Sequence, residues 1–293
     1  MSDSSTWTIG RLLEWTTDYL KQHGSSSPRL DAEVLLAHAH GCERIELYTA
    51  FKDEADDVLR QEFRELVKRR AEGSPVAYLV GVREFYSMEF HVNSDVLIPR
   101  PETEFVLLQL FDLVKDSNRS EAPLNIADVG TGSGNLACCI AKHLPNVTVL
   151  AIDIQEAALQ VARQNADQHQ VADRIQFIQS DLFAEVDTTQ KFDYIVSNPP
   201  YIGEGERSTL PDDVVNQEPE SALFAGPTGL EILEQLLQQS EERLHSGGWL
   251  ISELSPIIAQ RAKEMAQSGD AYTEASLVDD LAKLPRVLRV RKA

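Results

Sequence analysis

Leu124-Asn125-Ile126-Ala127-Asp128-Val129, followed at once by Gly130-Thr131-Gly132-Ser133-Gly134, is the stretch on which the fold turns. The apolar run reads as a buried strand. The glycines let the chain turn into the apolar helix that carries Cys138 and Cys139. Such a loop offers backbone N–H groups at a helix amino terminus, where a ligand can approach closely. The strict Gly-x-Gly-x-x-Gly dinucleotide pattern is absent, because position 135 is Asn.

Downstream, strands and helices alternate. The expected strands are Thr148–Ile152, Ile175–Gln179, Tyr194–Ser197, Trp249–Glu253, Thr273–Val278 and Val287–Val290. Helices fit between them at Glu156–Gln168, Leu230–Leu244 and Pro256–Ala266. Counting Leu124–Val129, this predicts an α/β fold with a mostly parallel seven-stranded sheet and helices on both faces. Upstream, Thr8 to Glu72 reads as helices only. Leu12, Leu13 and Leu20 recur at helical spacing, and so do Leu59, Phe63, Leu66 and Val67. Between the two patterns, Phe85, Met88, Phe90, Val92, Val96 and Ile98 read as a β-hairpin linker. The expected organisation is a small all-helical domain over 1–76, a hairpin linker over 77–98 and an α/β domain over 99–293.

Ligands of open α/β sheets bind at the carboxyl ends of the strands. Three strands end in chemically useful residues. Asp153 ends the second, where a carboxylate would accept hydrogen bonds from ribose hydroxyls. Asp181-Leu182-Phe183 follows the third, where a ring and its amino group could be held. Asn198-Pro199-Pro200-Tyr201 follows the fourth. Two prolines end the ladder and hold Asn198 extended, its amide pointing out of the sheet. The Asn198 side-chain carbonyl and the Pro199 carbonyl form a pair of acceptors suited to a planar NH2 group. Two such bonds would orient a weakly nucleophilic nitrogen, and Tyr201 could pack against the flat group. The chemistry serves an amide and an exocyclic amine of adenine or guanine equally.

Composition narrows the partners. The 293 residues carry a net charge of −20, which opposes non-specific nucleic-acid binding. The short basic clusters, Lys68-Arg69-Arg70 and Arg286 to Lys292, read as a solvated helix face and an edge strand. Three cysteines, two of them adjacent, give neither a disulfide framework nor metal-ligand spacing, so no metal is expected. No apolar run is long enough to span a membrane, and Met1 to Ser5 is polar, unlike a signal segment. A cytoplasmic location is expected.

The residues resemble a known family. Asp128–Gly134, Asp153 and Asp181 look like the S-adenosylmethionine site of class I, Rossmann-like methyltransferases, and Asn198–Tyr201 resembles their amino-methylating subset. Ile98-Pro99-Arg100-Pro101-Glu102-Thr103-Glu104, Glu218-Pro219 with Ala222-Leu223, Asp279 to Arg286 and Asp31 to His38 narrow the match to the peptide chain release factor glutamine methyltransferase family, over essentially the whole chain. The chain departs from the family pattern at Ser87, Thr228 and Ser255.

The resemblance implies methyl transfer from S-adenosyl-L-methionine to the side-chain amide nitrogen of the glutamine in the Gly-Gly-Gln motif of class 1 release factors. S-adenosyl-L-homocysteine is the product, and the helical domain docks the release factor. Gly130, Thr131, Gly132, Ser133, Gly134, Asp153, Asp181, Leu182 and Asn198 would contact the cofactor. Asn198, Pro199, Pro200 and Tyr201 would hold the glutamine, with Asn198, Pro199 and Tyr201 as the catalytic groups. Methylation of a ribosomal-protein glutamine or of adenine N6 in nucleic acid are the competing expectations.

Overall fold

The computed structural model describes residues 6–293; Met1–Ser5, read above as unlike a signal segment, lie outside them. The chain divides into two compact units. One runs up to Val82 and includes Pro211–Gln217; the other comprises Arg83–Leu210 and Glu218–Ala293. The elements begin with helices α1 (Ile9–Gln22), α2 (Pro28–His40), α3 (Glu46–Thr49), α4 (Asp57–Ala71) and α5 (Val76–Val80). A hairpin of β1 (Val82–Phe85) and β2 (Met88–His91) comes next, then α6 (Glu104–Asp116). The α/β succession is β3 (Leu124–Val129), α7 (Asn135–His143), β4 (Val147–Asp153), α8 (Glu156–Gln168), β5 (Ile175–Gln179) and β6 (Phe192–Ser197). It continues with α9 (Asp212–Gln217), α10 (Glu220–Leu223), α11 (Glu231–Arg243), β7 (Leu244–Glu253), α12 (Ala259–Ala266), β8 (Tyr272–Asp279) and β9 (Pro285–Lys292).

In the helical unit, local capping sets the helix starts. Thr8 Oγ1 accepts the Arg11 N–H and Asp56 Oδ1 accepts the Leu59 N–H, each satisfying a donor that the first turn leaves open. Leu13, Leu20, Leu35, Leu36, Leu47 and Phe63 form the core. Two acidic residues of α2 are buried with them. Glu33 accepts hydrogen bonds from Arg29, Arg44 and Tyr48. Asp31 accepts from Ser25 and Arg70.

In the second unit, seven strands form one sheet in the order β5-β4-β3-β6-β7-β9-β8. β3 through β7 run parallel, while β9 is antiparallel to β7 and to β8. The chain steps outward from β3 to β4 and β5, then returns to place β6 on the other side of β3. The carboxyl ends of β3 and β6 therefore meet at a topological switch point, the crevice position of open α/β sheets. There Val129 is paired with Ser197, and Ser197 Oγ donates to the Val129 carbonyl at 2.7 Å. Strands β3, β4 and β6 are apolar on both faces because helices cover both; Cys138 and Cys139 lie fully buried in α7.

Local structure departs from the sequence reading in three places. Residues 76–80, at the start of the expected hairpin linker, form α5, and Val96 and Ile98 are buried without joining a strand. The hairpin turn is Tyr86-Ser87, both with positive φ (50° and 58°), a left-handed pair that matches the twist of the flanking strands. Residues 204–219, to which the sequence reading gives no helix or strand, contain a 3-10 turn, Glu204–Thr209, and helix α9. The expected Pro256–Ala266 helix starts at Ala259, since Ser255 Oγ accepts the Ile257 N–H in a turn of its own.

Candidate active site

A cavity of about 360 Å3 opens at the carboxyl edge, where β3, β4, β5 and β6 end. Its floor is the glycine loop. Gly130 and Thr131 donate their N–H groups to the Ile152 carbonyl at 2.8 and 2.9 Å, which folds the loop over the end of β4. Asp128 supports the loop from below. Its Oδ2 accepts the Thr131 hydroxyl at 2.6 Å and the Ala137 N–H at 3.1 Å, while Oδ1 has no partner. Burial pushes its pKa up to about 7, and the neighbouring Asp153 charge adds to this against the two hydrogen bonds.

Asn165 of α8 braces the loop from the side. Its Nδ2 donates to the Ser133 and His91 carbonyls at 2.8 and 3.0 Å, and its Oδ1 accepts the His91 N–H at 2.7 Å. One fully buried amide thus ties β2 to the glycine loop.

Gly130, Thr131, Gly132 and Ser133 line the cavity. Gly134 does not; it has φ +77°, and a Cβ there would lie 2.9 Å from the Ala162 Cβ. Its role is the close approach of α7 to α8. Asp153 lines the next wall. Oδ2 accepts the Gly132 N–H and Oδ1 the Gln155 N–H, both at 2.9 Å, and the Ile154 N–H bears on the carboxylate as well. Burial raises the carboxyl pKa against those hydrogen bonds. Asp181, exposed, and Leu182 complete that side. Leu182 holds φ +48°, a strained conformation for a leucine, directly at the cavity wall.

The tetrapeptide divides its duties. Asn198 and Pro200 line the cavity, and Pro199 is buried behind them. Tyr201 is not among the lining residues; it directs its hydroxyl to Glu253 Oε1 at 3.0 Å. Burial and the Glu253 charge keep that phenol protonated. The Asn198 Nδ2 donates to Thr103 Oγ1 at 3.0 Å, which leaves its Oδ1 free as an acceptor.

Glu253 is 1% exposed at the end of β7, and burial raises its pKa to about 7 against the Thr103 and Tyr201 hydroxyls and the Arg286 charge. The loop beyond Tyr201 is pinned by a bridge in which Ile202 donates to the Leu223 carbonyl and accepts from the Ala225 N–H. Gly229 closes against it, since a Cβ there would meet the Tyr201 carbonyl oxygen at 2.5 Å. Buried Glu218 accepts from Arg100 and from the Ile98 N–H, which fastens the cavity wall at Pro219, Ser221 and Ala222.

Thr103, Glu253 and Asn165 are site residues missing from the sequence-derived set. Glu253 carried a usable signal: a charged residue at the carboxyl end of the apolar run Trp249–Ile251, the position that Asp153 occupies on β4. Thr103 lies within the Ile98–Glu104 motif, but its contact to Asn198, far away in sequence, could not be read from it. Among the described residues, no cluster of His, Cys, Asp and Glu could hold a metal ion, and no helix is long and apolar enough to cross a membrane.

The sheet order and the crevice at its switch point define a Rossmann-like, class I methyltransferase. Solved structures agree on the fold. A Thermus thermophilus 16S rRNA N2 G1207 methyltransferase matches with a TM-score of 0.54 and 17% identity, over 72% of this chain and 50% of that one. The catalytic domain of human Mettl16 matches with a TM-score of 0.56 and 16% identity, over 78% and 82%.

Sequence relatives define the family. Residues 11–81 match the PrmC N-terminal domain and residues 108–221 the methyltransferase small domain. A release factor glutamine methyltransferase of Rhodopirellula baltica is 49% identical over 292 residues, covering 100% of this chain and 99% of that protein. Those of Chlorobaculum tepidum and Koribacter versatilis are 37% and 36% identical over 98% and 97% of this chain, and the alignments span 98% and 99% of those proteins. The chain belongs to the release factor glutamine methyltransferase family.

Proposed function

We propose that this chain transfers a methyl group from S-adenosyl-L-methionine to the side-chain amide nitrogen of the glutamine in the Gly-Gly-Gln motif of class 1 release factors. The observation that carries the reading is the commitment of Asn198 Nδ2 to Thr103. It turns the Asn198 carbonyl into an acceptor at the cavity wall, where an amide NH2 needs one.

The residues suit the cofactor. Asp153 lines the cavity with a carboxylate that would accept from ribose hydroxyls, and Gly130–Ser133 form a floor without bulky side chains. Asp181 and Leu182 would edge the adenine. S-adenosylmethionine, when bound, supplies an electrophilic methyl on a sulfonium, and S-adenosylhomocysteine is what remains after transfer. The work of the chain is positioning. Asn198 Oδ1 and the Pro199 carbonyl would each accept one N–H of the glutamine amide, aligning its lone pair with the methyl and favouring the positive charge that grows on nitrogen. Pro200 would pack against the flat amide. Tyr201, tied to Glu253, holds the loop in place. No strong base is required, because the proton becomes acidic only as the N–C bond forms.

In this reading the helical residues 1–76 dock the release factor, 77–98 connect, and 99–293 carry the chemistry. The test is transfer of labelled methyl from S-adenosylmethionine to a purified release factor and to the same factor with its Gly-Gly-Gln glutamine replaced. Label on the first alone supports the reading; label on neither, with cofactor bound, overturns it in favour of a ribosomal-protein or nucleic-acid substrate. Asn198→Ala should lower turnover by on the order of 100-fold while cofactor affinity stays within about threefold. Near-normal turnover would remove Asn198 from its role.

A further inference from the structure

We propose that Thr103 and Glu253 are positioning residues that fix which end of the Asn198 amide faces the substrate. The inference rests on the function proposed above.

An asparagine amide has two ends of nearly the same shape and opposite polarity. With the oxygen toward the cavity it accepts from a substrate NH2. Turned over, it would set its own donors against the substrate's donors. The partner behind it decides the orientation. Thr103 Oγ1 lies 3.0 Å from Asn198 Nδ2, but a hydroxyl donates as readily as it accepts, so Thr103 alone would hold either orientation.

Glu253 removes that freedom. It sits at the end of β7, 1% exposed, within reach of the Thr103 hydroxyl. Its Oε1 accepts from Tyr201 at 3.0 Å, and its Oε2 is buried with no other partner. Above its pKa of about 7 the carboxylate is ionised and only accepts. There the Thr103 proton points to Glu253, and the Thr103 lone pair is what remains for Asn198. The direction of donation runs from Asn198 to Thr103 to Glu253, and the Tyr201 hydroxyl steadies the carboxylate from its other oxygen. The fit explains why a glutamate is kept buried in the end of a central strand. It sets polarity at the tetrapeptide without lining the cavity.

The test uses the full chain and three variants at pH 8, above the Glu253 pKa of about 7. Thr103→Val keeps the shape and removes the hydroxyl; Thr103→Ser keeps the hydroxyl. Glu253→Gln keeps the size but can donate as well as accept. Thr103→Val should lower kcat toward the release factor about 10-fold to 100-fold, with cofactor Kd unchanged, and Thr103→Ser should recover most of that loss. Glu253→Gln should fall about tenfold. Turnover of Thr103→Val within threefold of the parent, or Thr103→Ser no better than Thr103→Val, overturns the proposal.

A second readout does not depend on the substrate. The Asn198 side-chain amide protons, assigned by their loss in Asn198→Asp, should be protected from solvent exchange in the parent and in Thr103→Ser but not in Thr103→Val. Absence of protection in the parent overturns the positioning role. A parent that leaves release factors unlabelled while showing that protection overturns the function reading alone.

Discussion

The Glu33 carboxylate buried in α2 and the two buried on β3 and β7 are treated in opposite ways. In the helical unit, Glu33 is 3% exposed and receives Arg29, Arg44 and Tyr48. Burial works to raise its pKa, but the three donors outweigh it and the pKa ends below the ordinary carboxylate value. At the sheet edge, Asp128 and Glu253 are equally buried and meet hydroxyls and a backbone N–H, with acceptor capacity to spare on one oxygen of each. Burial wins there, and both rise to about 7. A carboxylate surrounded by cations belongs to the framework. A carboxylate buried with unused acceptor capacity marks a place where the fold has been arranged for something other than its own stability.

Removing each carboxylate should break the symmetry between them. The largest effect belongs to Glu33→Ala, expected to cost about 2 kcal/mol in urea unfolding, since charged hydrogen bonds are lost while Arg29 and Arg44 can still turn to solvent. A loss under about 0.5 kcal/mol would mean that the cluster orients α2 without stabilising it. Next comes Asp153→Ala. It should weaken S-adenosylmethionine binding by roughly tenfold, about 1.4 kcal/mol, in calorimetry, with little change in unfolding. Unchanged affinity would assign Asp153 only the bracing of Gly132 and Gln155.

The same contrast governs what the sequence discloses. Strands β3, β4 and β6 were legible because each is a mostly apolar run closed by Gly, Pro or a polar residue, as buried parallel strands are. Asp153, Asp181 and Asn198 were legible because a strand-end position already implies the crevice. Helix α5 was not, since five apolar residues before a hairpin read equally well as strand. The role of Gly134 was not either. A helix-packing glycine and a ligand-facing glycine look alike until Ala162 is seen against it. Thr103, Glu253 and the Asn165 brace depend on contacts between distant segments, to which local periodicity is blind.

The smallest effect is also the sharpest. Asp128 carries its proton up to about 7 when folded but releases it near 3.8 when unfolded. Between those values the folded chain holds a proton that the unfolded chain has lost, so this group's contribution to stability falls as pH rises through the window and is level above it. Glu33, with its pKa lowered, acts with the opposite sign: its contribution is present above about 4.5 and fades as pH falls. Asp128→Asn keeps the shape and can still accept from Thr131 and Ala137 through its oxygen, placing its NH2 where Oδ1 now lacks a partner. Without cofactor, raising the pH from 6.5 to 8 spans only the end of that window and should favour the variant over the parent by about 1 kcal/mol or less. A variant that falls behind the parent over that rise would mean that the folded loop stabilises the Asp128 charge, and the contrast with Glu33 would collapse.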